Sequence, residues 1–167
     1  SVYLMNHPRL GLRGYDLFAP VGALAALADQ LNAGASAVGG RLAGRTAFEV
    51  LRIEAGIPRY GVDIDETNLA SEAGIDERAI SYTKGCYSGQ EVIARIRTYG
   101  QVAKALRGLR LEGVQNSDAL PPLGTRLFRE GRDVGYLTSA THSPVLGSAI
   151  ALGYVRRECN GPGNELT

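Results

Sequence analysis

The sequence predicts an α+β fold that gives way, near residue 100, to a small C-terminal β-barrel. Three observations carry that expectation. Short β-prone runs bracket a turn-rich stretch at the start, and apolar residues recur at helical spacing in two segments before residue 60. From about Gln101 the period shortens to strand-like alternation, with Gly, Pro and Asn between the runs. The expected organisation is a partial α+β region over residues 1–100 and a barrel domain over residues 101–167.

Residues 2–5 and 15–19 are β-prone and flank His7-Pro8 to Gly14, the pattern of a hairpin. Pro20 then opens a helix in which Val21, Leu24, Leu27 and Leu31 recur at helical spacing, with Gly34 suited to its C-terminal cap. A second helix is expected over residues 46–55, with Phe48, Leu51 and Ala55 as its inner stripe, Gly56 as its stop and Pro58 barring continuation. The opening Ser1-Val2-Tyr3-Leu4 reads as the middle of a strand, so residue 1 is expected not to be the biological N-terminus.

The polar stretch 59–82 reads as a long ordered connection with one helical turn. Ser88-Gly89-Gln90-Glu91 then has capping-box spacing: Ser88 can accept from the backbone N–H of residue 91, and Glu91 can reach back. The helix that follows places Val92, Ile93 and Ile96 inward and Arg95 and Arg97 outward, and Tyr99-Gly100 ends it. Beyond it, Leu109 and Leu111 alternate with Arg110 and Glu112. Leu127 and Val134 flank the turn Glu130-Gly131, and residues 136–140 and 150–155 are further strands.

A hydrophobic fraction of 44% and a charged fraction of 21% describe an ordinary soluble globular chain and argue against extensive disorder. The net charge of +1 gives no global attraction to nucleic acid or to an anionic membrane. No apolar run approaches the roughly 18 residues of a membrane-spanning helix, and no signal peptide is visible, so the cytoplasm is the expected compartment. His7 and His142 are isolated, and Cys86 and Cys159 are far apart. No metal is therefore expected, and both thiols are expected to stay reduced.

Two segments approach known motifs and fail. Gly39-Gly40-Arg41-Leu42-Ala43-Gly44-Arg45-Thr46 nearly spells a phosphate-binding loop, but Arg45 stands where lysine belongs and a helix, not a strand, precedes it. Asp63-Ile64-Asp65 opens like a calcium loop, yet Asn68 replaces the turn glycine and Gly74 the bidentate glutamate.

Lys84-Gly85-Cys86-Tyr87-Ser88-Gly89-Gln90-Glu91 differs in kind. A thiol two residues before a helix N-cap lies near the positive end of the helix dipole, and Lys84 adds a charge beside it; both favour thiolate. The alternative is that Cys86 is a small buried hydrophobe beside a well-capped helix. Gly85 and Gly89 allow a tight bend or the close approach of a ligand.

This segment resembles the hallmark of the YgfZ-type folate-binding proteins, relatives of the glycine-cleavage T-protein. Leu51-Arg52-Ile53-Glu54-Ala55-Gly56 and Tyr60-Gly61-Val62-Asp63-Ile64-Asp65 resemble a stretch shared with the T-protein. Val134-Gly135-Tyr136-Leu137-Thr138-Ser139, Ser143-Pro144 and Ile150-Ala151-Leu152-Gly153 resemble the C-terminal barrel of both. In one respect the chain departs from the T-protein: Gly11-Leu12-Arg13-Gly14 puts Leu12 where that protein has a folate-holding acid. Asn68-Leu69-Ala70 also lacks the proline that relatives often have there.

The resemblance implies a ferredoxin-like, T-protein-like α+β layer beside the barrel, around a cleft for tetrahydrofolate. It places Arg52 and Glu54, with Tyr60, near that cleft, and it makes Cys86 the candidate reactive thiol. The leading expectation is an accessory role in maturing or repairing iron–sulfur enzymes, including those that modify tRNA. The alternatives are a tetrahydrofolate-dependent aminomethyltransferase of the glycine cleavage system, and a non-catalytic module. In the last, Lys84, Arg95, Arg97, Lys104 and Arg107 would face RNA or an acidic partner.

Overall fold

The computed structural model describes residues 1–100, 102–115 and 119–167. Gln101, the expected first residue of the barrel domain, lies outside the described residues. Helices and small antiparallel sheets alternate as an α+β fold. Strands β1 (Tyr3–Asn6) and β2 (Tyr15–Phe18) form the expected hairpin, pairing Tyr3 with Phe18 and Asn6 with Tyr15. Pro20 starts a 3-10 turn that leads into α1 (Leu24–Ala37). That helix runs through Gly34 and ends only at Val38, so Gly34 is not its cap. A mid-helix glycine costs about 1 kcal/mol, which the surrounding alanine-rich turns absorb.

Helix α2 (Arg45–Glu54) is turned differently from its apolar pattern. Arg52 and Ile53 are its buried residues, whereas Phe48 is exposed. The reason is electrostatic: the buried face follows the partners of an arginine, described below, and not the sum of the apolar side chains. One helical turn, α3 (Asp76–Ala79), interrupts the connection that follows, as expected. Helix α4 (Gln90–Tyr99) ends at Gly100, and Ile93 and Ile96 make its half-buried stripe while Val92 is exposed.

The C-terminal unit is a four-stranded antiparallel sheet of β3 (Lys104–Leu111), β4 (Arg126–Arg129), β5 (Arg132–Ser143) and β6 (Ser148–Arg156), ordered β3-β6-β5-β4. Glu130 and Gly131 form the two-residue turn between β4 and β5, both with positive φ (52° and 74°), matching the twist of a tight hairpin. Strand β6 is central and buried on both faces. Ala151 and Val155 pack with Leu127, Val134, Leu137 and Cys159; Ile150, Leu152 and Tyr154 pack with Leu106 and with Ile53 of α2. The C-terminal tail folds back so that Thr167 exchanges both backbone hydrogen bonds with Phe128, which gives the unit its barrel-like closure. No helix among the described residues is long and apolar enough to cross a membrane.

Candidate ligand cleft

Helix α2 presents Arg52 to the β5 side of the molecule, where all three of its guanidinium nitrogens hydrogen-bond to protein groups. Arg52 Nε donates to Glu49 Oε2 at 2.7 Å, and Nη1 donates to Asp63 Oδ2 at 2.7 Å and to the Ile57 carbonyl at 3.3 Å. Nη2 donates to Ser139 Oγ at 2.7 Å. Asp63 is equally committed. It accepts from the Arg59 backbone N–H at 3.0 Å, and from the hydroxyls of Thr138 and Ser139 at 2.6 Å each. Arg59 Nη1 closes the group on Glu49 Oε1 at 2.9 Å. Two arginines thus meet two carboxylates, and buried charge of this kind is tolerated only when so paired.

The network fixes the loop 57–64 against α2 and β5, and this loop forms a wall of a cleft of about 570 Å3. Phe48, Ile57, Pro58, Ile64 and Ile75 give it apolar sides, while His7, Arg9, Arg52, Arg59 and Arg78 supply polar groups. Arg9 is held by Asp16, with Nε and Nη2 each donating at 2.8 Å. Arg78 is exposed, and no carboxylate among the described residues pairs with it. A concave pocket that combines apolar sides with polar groups is the usual form of a small-molecule site. A larger cavity, about 660 Å3, lies between β3 and the C-terminal tail, away from the residues expected to form the site.

Of the expected ligand-binding residues, Arg52 and Tyr60 meet at this cleft. Tyr60 stands exposed at its rim, with its hydroxyl 3.4 Å from Glu66 Oε2. Arg52 is a wall residue whose hydrogen bonds go to protein partners. Glu54 lies elsewhere: it accepts from the hydroxyl of Ser143, at the end of β5. Asp63, Thr138 and Ser139 lie outside the expected site residues, although all three stand in segments quoted for the resemblance. A signal for Thr138 and Ser139 lay in adjacent hydroxyls that follow the apolar Tyr136-Leu137 in a strand-like run.

The segment 84–91 is separate from the cleft. Cys86 is exposed with a free thiol. The capping box does not form: the N-cap of α4 is Gly89, with φ 84°, and no side chain caps it. The left-handed turn at Gly89 moves the helix start one residue past Ser88, and Gln90 Oε1 instead accepts from the Tyr87 N–H at 3.4 Å. Lys84 Nζ lies 4.7 Å above the Tyr87 ring and the Arg97 guanidinium 4.1 Å above Tyr82. Lys104 and Arg107 are engaged by the barrel: Lys104 Nζ is 4.7 Å from the Tyr154 ring, and Arg107 Nε donates to the Asn160 carbonyl at 3.1 Å.

Comparison with known proteins finds similar sequences and a similar fold. Residues 104–167 match the glycine cleavage T-protein C-terminal barrel domain. An aminomethyltransferase of Thermosynechococcus vestitus is 35% identical over 156 residues, covering 93% of this chain and 40% of that protein. An aminomethyltransferase of Aquifex aeolicus is 35% identical over 123 residues, covering 74% of this chain and 32% of that protein. The crystal structure of glycine cleavage system aminomethyltransferase T from Bartonella henselae shares the fold, with a TM-score of 0.84 at 22% identity over 99% of this chain and 44% of that one. The chain thus spans less than half the length of these relatives. Their names favour the aminomethyltransferase alternative over the iron–sulfur reading, and they carry the T-protein side of the resemblance, not its YgfZ-type side. The chain is T-protein-like, and its residues 104–167 match the glycine cleavage T-protein C-terminal barrel domain.

Proposed function

We propose that this chain supplies a ligand wall and the C-terminal barrel of a tetrahydrofolate-dependent aminomethyltransferase, with residues 1–100 as the folate-binding region and 101–167 as the barrel domain. The observation that carries the reading is the cleft beneath the hairpin loop, in a chain that has relatives named aminomethyltransferase over most of its length. Its chemistry fits folate. The flat pterin suits a slot walled by Phe48, Pro58, Ile64 and Ile75, and the anionic glutamate tail suits the uncommitted Arg78 at the mouth. Bound tetrahydrofolate would supply the two amine nitrogens, one in the pterin ring and one beside it, that accept a one-carbon unit. The chain's own residues bind and orient it: Arg52 holds the loop that forms the wall, and the apolar sides exclude water. Leu12 is exposed on the hairpin loop and offers no acid, so polar recognition here falls to Arg78 and Tyr60.

Titration of the complete protein with tetrahydrofolate tests the proposal. Saturable binding is expected, weakened roughly tenfold by Arg78→Ala, since a hydrogen bond to a charged group contributes about 1.5–3 kcal/mol in total and this one is partly solvated. Glycine-cleavage activity should accompany it. Absence of saturable binding would sink the reading.

One observation favours a second reading. The Lys84–Gly85–Cys86–Tyr87 run through Gly89, Gln90 and Glu91 is intact and its thiol faces solvent. A YgfZ-type role in maintaining iron–sulfur enzymes, with Cys86 as a reactive thiol, would use that group. Cys86→Ala should then fold and bind folate yet fail to support iron–sulfur enzyme activity; full support leaves Cys86 structural.

A further inference from the structure

A second cavity, of about 390 Å3, lies between α2, β5 and the loop 57–64. It shares Arg52 and Arg59 with the cleft described above, and its other walls are different. Arg45, Thr46 and Glu49 come from the first turns of α2, Thr141 comes from β5, and Val62 and Leu123 supply apolar surface. Charge is unbalanced there. Three guanidinium groups, of Arg45, Arg52 and Arg59, meet one carboxylate, Glu49, among the described residues that line it. Both Glu49 oxygens are taken, Oε2 by Arg52 and Oε1 by Arg59, and Asp63 pairs with Arg52. Arg45 is exposed and has no carboxylate partner among the described residues. Arg59 points the same way. Its Nη1 is on Glu49, which lines this cavity and not the cleft, so its guanidinium is held on this side. Its Nε–H is buried and meets no protein acceptor. Buried donors in folded proteins are nearly always satisfied, by protein, water or ligand.

We infer that this cavity is an anion site, separate from the ligand cleft, for phosphate or the phosphate monoester of a small molecule. Guanidinium groups suit phosphate oxygens, and donors carried by α2, β5 and the loop suit a tetrahedral group better than a planar carboxylate. Arg45 and Arg59 are the donors, with the hydroxyls of Thr46 and Thr141 beside them. Arg52, whose nitrogens already donate to protein groups, adds charge alone. Occupancy has a consequence for the neighbouring cleft. The Arg59 carbonyl accepts from the backbone N–H groups of Val62 at 3.2 Å and Asp63 at 2.8 Å, and the Arg59 N–H donates to Asp63 Oδ2 at 3.0 Å. An anion that fixes Arg59 therefore stiffens the loop that walls the cleft. The inference uses the arginines and the cavity and does not depend on folate binding.

Titration of this chain with inorganic phosphate at constant ionic strength, followed by amide NMR, tests the site. Saturable shifts are expected at Thr46, Arg59 and Thr141, and exchange of the Asp63 and Ile64 amides should slow about threefold or more. Arg45→Gln should weaken phosphate binding about tenfold while β6 stays as protected as before, which separates a lost site from a lost fold. Acetate at equal ionic strength should shift the same amides less. Shifts that do not saturate, or that persist unchanged in Arg45→Gln, mean an adventitious ion only and overturn the inference. So does acetate binding as tightly as phosphate, since a planar carboxylate would then be the occupant.

Discussion

Arg52 and Asp63 form a buried ion pair, Nη1 to Oδ2 at 2.7 Å, that joins α2 to the loop behind it and, through Ser139, to the barrel. The side chains are 3% and 0% exposed, so neither charge can fall back on water. Replacing Arg52→Met leaves Asp63 buried with hydroxyl and backbone donors alone. A loss of about 3–5 kcal/mol is expected, the usual cost of orphaning one member of a buried pair. The double variant Arg52→Met, Asp63→Leu should recover much of it. Urea unfolding of the four corners of this cycle measures the coupling, and strictly additive losses would show that the pair does not act as a unit.

Ser139 has a part that neither charge can take over. Its hydroxyl accepts from Arg52 and donates to Asp63, so one small group bridges the pair from the β5 side. Ser139→Ala leaves one donor and one acceptor short, and a cost of about 1–3 kcal/mol follows. The same substitution should loosen the loop 57–64. Amide exchange at Asp63 and Ile64 should therefore accelerate more than exchange in β6, and equal acceleration at both places would speak against a local role.

Strand pairing leaves no room at Gly135. A Cβ there would lie 2.1 Å from the Tyr154 carbonyl oxygen, in the backbone of a paired central strand that cannot retreat. Gly108, in β3, faces open space. Gly135→Ala should cost at least about 1–3 kcal/mol, the range for overpacking, while Gly108→Ala should stay within about 1 kcal/mol. Thermal unfolding of the two variants side by side is the check, and similar midpoints would contradict the close approach.

These residues also show where the sequence was legible. The hairpin, the turn at Glu130-Gly131 and the strands of the barrel follow from period and punctuation, which are local properties that tertiary context here reinforces. The face of α2 was not legible. An apolar count favours Phe48 and Leu51, but burial of Arg52 depends on Asp63 and Ser139, respectively 11 and 87 residues away. Capping at Ser88 failed for a similar reason: the spacing is right, but the left-handed turn at Gly89 decides where the helix starts. The cleft was half legible, since Arg52 and Tyr60 came from a resembling segment while Arg9 and Arg78 reach it only through folding.

Acid should act on the hairpin before the barrel. Hydrogen bonds from the Arg9 guanidinium, and then from His7, hold the Asp16 carboxyl at about 2, below the usual aspartate value near 3.9. A carboxylate depressed on folding contributes stability that is present above its unfolded value and is lost as pH falls toward the folded one. The window is therefore pH 4 to 2, and the contribution is screened because the group is at the surface. Carboxyl NMR should find Asp16 titrating near 2, with Arg9→Ala moving the midpoint up toward 3.9. Exchange of the amides of Asn6 and Tyr15 should quicken across that window relative to β6, after correction for intrinsic rates. An Asp16 midpoint that ignores Arg9→Ala would show that the pair seen at the cleft's mouth does not hold in solution.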